Sequence, residues 1–162
     1  MIALYKGTSP TSRVIEFVNW SPFSHAAWGD ETDGLVVEAW EGRVRRATGF
    51  LDNHRDATPV VFFRVPMANV QRMQVRKFML AQVGKPYDFP GILHFATRLS
   101  EHGEAQDRWF CSELVFAAHA AAGVNLLARI DAWKVYPGMI SYSPILVPAP
   151  EVTAENWMKE AA

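Results

Sequence analysis

Disulfides are the first thing this sequence lacks. Cys111 is the only cysteine in 162 residues, so no cross-link can form within the chain. Stabilisation by a disulfide framework is excluded, and the composition suits a reducing compartment. Long apolar runs are missing as well, for no stretch approaches the ~20 residues that span a bilayer. Residues 1–13 have neither the basic start nor the apolar run of a secretory leader, and a cytoplasmic location is the expectation that follows. Charge of one sign is scarce too. Lys and Arg total 16 against 17 Asp and Glu, for a net charge of -1. No basic run points to nucleic acid or to an anionic membrane. Repeats, low-complexity tracts and linkers are absent. One domain over residues 1–162 is expected, with residues 150–162 as a peripheral tail.

What is present suits an ordinary core, with 49% of residues hydrophobic and 20% charged. Residues 2–5 read as a short strand. Ser9-Pro10 opens a helix with Pro10 at the first helical position and Val14, Phe17 and Val18 on one face. Residues 24–28 and 35–40 read as two strands around the polar turn 29–34, and a third strand is expected near Val44. Residues 60–65, rich in branched and aromatic side chains and ended by Pro66, are the clearest strand. A helix is expected over 69–83, with Asn69 as cap and Gly84 beyond its end. A turn-rich segment follows at 84–91, then a helical stretch at 92–99. Cys111 to Ala122 forms a helix stopped by Gly123, and the proline-rich remainder wraps the domain. Strands early and helices late predict an α+β fold.

Cys111 falls where that last helix begins, with Glu113 in its first turn. A helix N-terminus favours negative charge, so a thiol pKa below the ordinary value is expected, and the free N–H groups there suit an oxyanion. The plain alternative is a small buried hydrophobe. A thiolate nucleophile needs a base. Five histidines are available. His119 lies eight residues along the same helix, ~12 Å away at 1.5 Å per residue. His54 and His102 lie in polar loops, and His94 in the short helix after the turn. His25 is distinguished by a partner. In a symmetric hairpin with Trp28 opposite Leu35, His25 faces Glu38, within ~5 Å at Cβ. A carboxylate there would fix the imidazole tautomer. An ordinary surface ion pair would have the same spacing, and a one-residue slip would separate the two side chains.

Taken in order, Ser24-His25, Val37-Glu38-Ala39, Gly84-Lys85-Pro86-Tyr87-Asp88 and Trp109-Phe110-Cys111-Ser112-Glu113-Leu114-Val115 resemble the permuted papain-like amidases of the YaeF/YiiX type, relatives of the NlpC-like cysteine peptidases. The likeness runs over roughly residues 3–147. It implies a papain-like, circularly permuted fold whose small antiparallel, partly barrel-like sheet packs on the helix carrying the nucleophile. By motif position it gives Cys111 the nucleophile's role, His25 the base's and Glu38 the orienting one's. Tyr87 matches a tyrosine that positions substrate or polarises its carbonyl. Relatives carry a branched aliphatic residue soon after the histidine where this chain has Ala26-Ala27-Trp28, which implies a different pocket shape.

Trp28, Trp40 and Trp109 stand near these motifs in sequence, and Trp28 and Trp109 are candidates for lining a substrate groove. The competing role for each is core packing. The expected activity is hydrolysis of an amide in a small peptide or cell-wall fragment through an acyl-enzyme on Cys111. The same triad would also serve acyl transfer or ester and thioester cleavage on an acyl substrate. A binding module that keeps the fold without turnover is the third reading. No cofactor is expected. A metal site made from Cys111, His25 and Glu38 is disfavoured because the chain has no second cysteine.

Overall fold

The computed structural model describes residues 1–40, 42–52, 54, 58–88 and 107–157. Six strands form one antiparallel sheet: β1 (Ile2–Tyr5), β2 (His25–Gly29), β3 (Val36–Trp40), β4 (Arg43–Ala47), β5 (Val60–Arg64) and β6 (Val147–Pro148). Their order is β4-β3-β2-β1-β5-β6. Four helices are described: α1 (Pro10–Asn19), α2 (Asn69–Gln82), α3 (Cys111–Ala121) and α4 (Pro137–Ile140), with a 3-10 turn at Ala132–Lys134. The expected helix at 92–99 lies outside the described residues. So do His94 and His102.

β1 sits in the middle of the sheet and is buried on both faces, which is why its four residues read as a continuous apolar run without alternation. Ile2, Leu4, Ala26, Trp28, Val37 and Ala39 join Val75 and Met79 of α2 and Leu114 and Val115 of α3 in one core. The opposite face, with Ala3, Tyr5, Ala27 and Val36, packs against Phe50, Phe62, Val152 and Trp157 in a second core. The sheet is open, and this corrects the expected partly barrel-like form: β4 and β6 are its two edges, and no pairing joins them among the described residues. The β4 edge is instead covered by the turn-rich segment. Gly84 N donates to Val44 O (2.8 Å), Val44 N to Lys85 O (2.8 Å) and Tyr87 N to Gly42 O (2.9 Å). Gly84 can make this turn because its φ is +92°, a left-handed value that costs glycine little.

Three expectations need correction. In α1, Ile15 and Ser12 turn inward, whereas Val14 and Phe17 are exposed; burial follows the 12/15 row of the helix instead. In α2 the cap position is Ala68, not Asn69. The Ala68 N–H is taken by the Gln71 side chain at 3.0 Å, the reach-back half of a capping box; alanine has no side-chain acceptor for the other half. Residues 150–157 are not peripheral. Trp157 is 5% exposed, its ring lies 4.7 Å from that of Phe50, and its Nε1–H donates to Gly34 O at 2.9 Å. Gly29 makes room for it, since a Cβ there would stand 2.6 Å from Cζ2 of the Trp157 ring.

Trp157 therefore anchors the carboxy-terminal segment under the sheet. Trp157→Ala should lower the stability by ~3–5 kcal/mol, the usual cost of emptying a buried tryptophan site. Denaturant unfolding measures it. A loss below 1 kcal/mol would mean that the segment is not part of the core.

Candidate active site

The β2–β3 hairpin closes with Trp28 opposite Val37 and Gly29 opposite Val36. Asp30 N donates to Leu35 O at 2.8 Å, which extends the ladder by one residue and tightens the turn. The register is thus shifted by two from the expected pairing of Trp28 with Leu35. A shift of two keeps every side chain on its face. His25 and Glu38 share a face as diagonal neighbours, and Nε2 of His25 lies 2.8 Å from Glu38 Oε2. The two residues are 2% exposed each.

Glu38 is more heavily engaged than its spacing suggests. His54 Nε2 also reaches Oε2, at 3.0 Å, and Arg45 Nε donates to Oε1 at 3.3 Å. Burial pulls the Glu38 carboxyl upward, but the hydrogen bonds from His25 and His54 outweigh it and hold the pKa well below the usual carboxylate range. An ionised carboxylate only accepts, so each imidazole must present Nε2–H. For His25, burial lowers the pKa more than Glu38 raises it, and the ring rests neutral. His54 escapes sequence reasoning because it stands in a polar loop without periodicity. The loop is ordered by Asp52, whose Oδ2 accepts from Thr48 N (2.7 Å), Thr48 Oγ1 (2.8 Å) and Gly49 N (2.9 Å). Asp52 four residues after Thr48, a side chain that can hold its own loop, is the one available signal. Tyr5 stacks on His54 at 4.3 Å, and Trp40 lies 4.7 Å from His25 and 4.5 Å from His54.

Cys111 is the first residue of α3 and is 1% exposed. The helix start is fixed by Glu113, whose Oε2 accepts from Phe110 N at 3.2 Å. A second restraint comes from Ser112, whose Oγ donates to Val135 O at 2.6 Å. The paired residues 84–88 lead to it: Trp109 N donates to Pro86 O and Asp88 N to Trp109 O, both at 3.1 Å. This pairing brings Tyr87 to the thiol, and its O–H is hydrogen-bonded to the sulfur. The Ala26 N–H donates to the sulfur as well. The amide is available because the β2–β3 ladder stops at Trp28, two residues short of it. Nucleophile and imidazole candidates therefore meet at one peptide, His25–Ala26. Among the described residues no hydrogen bond joins ring to sulfur.

The helix N-terminus does not lower the thiol. Burial pushes Cys111 up to about 12, the N–H groups of Ala26 and Ser112 oppose it, and the Glu38 charge adds to the rise. This reverses the expectation of a depressed pKa. Strand alternation sends Trp28 to the face of Ala26, where it is 4% exposed within the core that also holds Cys111. Trp109 is half-buried, with Nε1–H on Gln82 Oε1 at 3.0 Å and the Lys85 ammonium 5.9 Å from its ring centre. His119 is buried in α3 with Nδ1 donating to Val115 O at 2.7 Å.

No protein-family description and no curated protein matches the chain. A solved structure does: the crystal structure of YiiX from Escherichia coli O157:H7, described as a metalloprotein. The superposition has a TM-score of 0.66 and covers 91% of this chain and 93% of that one. The chain has a YiiX-like fold. At 21% identity the likeness to YiiX is one of architecture. No helix among the described residues is long and apolar enough to cross a membrane.

The thiol's state can be measured directly. Alkylation requires the thiolate, which forms only above the thiol pKa. With that pKa raised, the rate for Cys111 should stay low at neutral pH. It should climb through the window between ~8.5, the unperturbed value, and about 12. Alkylation by iodoacetamide against pH gives the midpoint. One at or below the unperturbed value would contradict the burial argument.

Proposed function

We propose that the chain is a single permuted papain-like domain that hydrolyses an amide through an acyl-enzyme on Cys111. The observation that carries this reading is the hydrogen bond from Ala26 N–H to the Cys111 sulfur, which puts the thiol beside the residue that follows His25. In an imidazole, Nδ1 is the nitrogen next to the residue's own backbone and Nε2 the remote one. A ring that reaches Glu38 with Nε2–H keeps the lone pair of Nδ1 near the His25–Ala26 peptide.

Chemistry then follows from the neutral pair. As the sulfur attacks the substrate carbonyl, its proton passes to Nδ1 of His25. The imidazolium that forms is stabilised by the Glu38 carboxylate. The carbonyl oxygen gains the negative charge and is met by N–H groups at the start of α3 and by the Tyr87 hydroxyl. Collapse breaks the C–N bond, and His25 returns the proton to the leaving amine. Water, deprotonated by His25, cleaves the thioester and regenerates the thiol. YiiX, which shares the architecture, is described as a metalloprotein. Among the described residues of this chain, the donor set that could hold an ion is His25, Glu38 and His54 and does not include Cys111.

The test is intact-mass analysis after exposure to a panel of activated amide, ester and thioester donors. A single acyl adduct on Cys111 is expected, absent in Cys111→Ala. His25→Ala should slow its formation by at least ~10²-fold, the low end of general-base assistance. Glu38→Gln should be milder, since an amide still hydrogen-bonds the ring but stabilises its charge less. Equal loss in Glu38→Gln and His25→Ala, or full activity in either, would overturn the role assignment.

A further inference from the structure

Two imidazoles aim the same nitrogen at one carboxylate oxygen. His25 Nε2 and His54 Nε2 stand 2.8 and 3.0 Å from Glu38 Oε2, and the donor atoms of all three residues lie within 4.8 Å of one another. Among the described residues this is the one such cluster of three metal-ligating side chains. We propose that His25, Glu38 and His54 form a binding site for one divalent transition ion of the Zn2+ class.

The donor set suits that class: two imidazole nitrogens and a carboxylate oxygen leave a fourth position for water. A tetrahedral ion with ligand bonds of ~2.0–2.1 Å holds its donors roughly 3.3 Å apart. The two separations from Glu38 Oε2, 2.8 and 3.0 Å, need to open by only a few tenths of an ångström. Arg45 Nε donates to the other oxygen, Oε1, at 3.3 Å, so the carboxylate is oriented from behind while Oε2 faces the two imidazoles. The rings are already immobilised. Tyr5 lies 5.0 Å from His25 and 4.3 Å from His54, Trp40 closes the other side, and the three side chains are 2–4% exposed. Little side-chain entropy is left to lose on binding.

Loading moves the single proton of the neutral His25 ring from Nε2 to Nδ1, because the ion takes the nitrogen that held it. His25 Nδ1 then becomes an N–H donor and cannot accept the proton of Cys111. Ion and base exclude one another. This consequence, unlike the site itself, rests on the hydrolase reading above.

The experiment titrates the metal-free full chain with Zn2+ by calorimetry and with Co2+ by visible absorption. One equivalent should bind, with the intense spectrum of four- or five-coordinate Co2+. His54→Ala and His54→Gln, the second retaining a hydrogen-bond donor to Glu38 and each checked for folding by circular dichroism, should weaken binding by at least ~100-fold, since even outer partners of a ligand cost 10–100-fold. Cys111→Ala should leave stoichiometry and spectrum unchanged. Absence of saturable binding, binding that survives both folded His54 variants, or a thiolate-to-Co2+ band lost in Cys111→Ala would overturn the site. Acyl-adduct formation, compared in metal-free and Zn2+-saturated protein, should stop on loading; persistence would overturn the exclusion. If even metal-free protein forms no adduct, the hydrolase reading fails while the Co2+ spectrum still decides the site.

Discussion

The structure around the candidate site depends on one buried anion. Glu38 is 2% exposed, and a carboxylate removed from water needs partners for both oxygens. Partners come to it from three separate elements: His25 on β2, Arg45 on β4 and His54 in the loop after β4. Breaking a buried charge pair by deleting one member typically costs ~3–5 kcal/mol, because the remaining charge is left uncompensated. Satisfying Glu38 therefore fixes where the hairpin, the following strand and the loop stand relative to one another. The imidazole orientation that the proposed proton transfer uses is a by-product of that constraint. The same constraint converges two histidines on one oxygen, so a single set of contacts can serve either a base or an ion.

Magnitudes decide the state of the thiol. A rise from 9.0 to about 12 corresponds to ~4 kcal/mol at 1.36 kcal/mol per unit. Interaction with a helix N-terminus is worth ~0.3–1 kcal/mol at exposed sites and up to ~2 in favourable ones. Burial wins, and the resting pair is neutral thiol and neutral imidazole rather than a preformed ion pair. In the proposed hydrolysis the N–H groups at the start of α3 act on charge that appears only as the carbonyl is attacked, when stabilisation lowers the barrier.

Much of the framework was legible because it is local. The branched and aromatic run of β5, Pro10 at the start of α1 and the glycines after α2 and α3 each act through their own backbone. The common face of His25 and Glu38 was legible through parity alone: the register was read two residues off, and only an odd error would have parted them. What failed was what depends on distant packing. His54 reaches Glu38 from a loop across 16 positions, and Trp157 fills the space beside Gly29 from the far end of the chain. The exposed row of α1 and the raised thiol pKa both follow from which surfaces the sheet buries, and short windows of sequence do not carry that information.

The central claim is that ionised Glu38 holds a neutral His25 with its proton on Nε2 and leaves Nδ1 to take the proton of Cys111. Nitrogen-15 NMR of the imidazole rings at neutral pH in metal-free protein reads tautomer and charge directly. The account predicts a protonated Nε2 and an unprotonated Nδ1 for His25, with the Nε2 proton shifted by its bond to Glu38 and that shift reduced in Glu38→Gln. A His25 protonated on Nδ1 alone, or an imidazolium at rest, would contradict it.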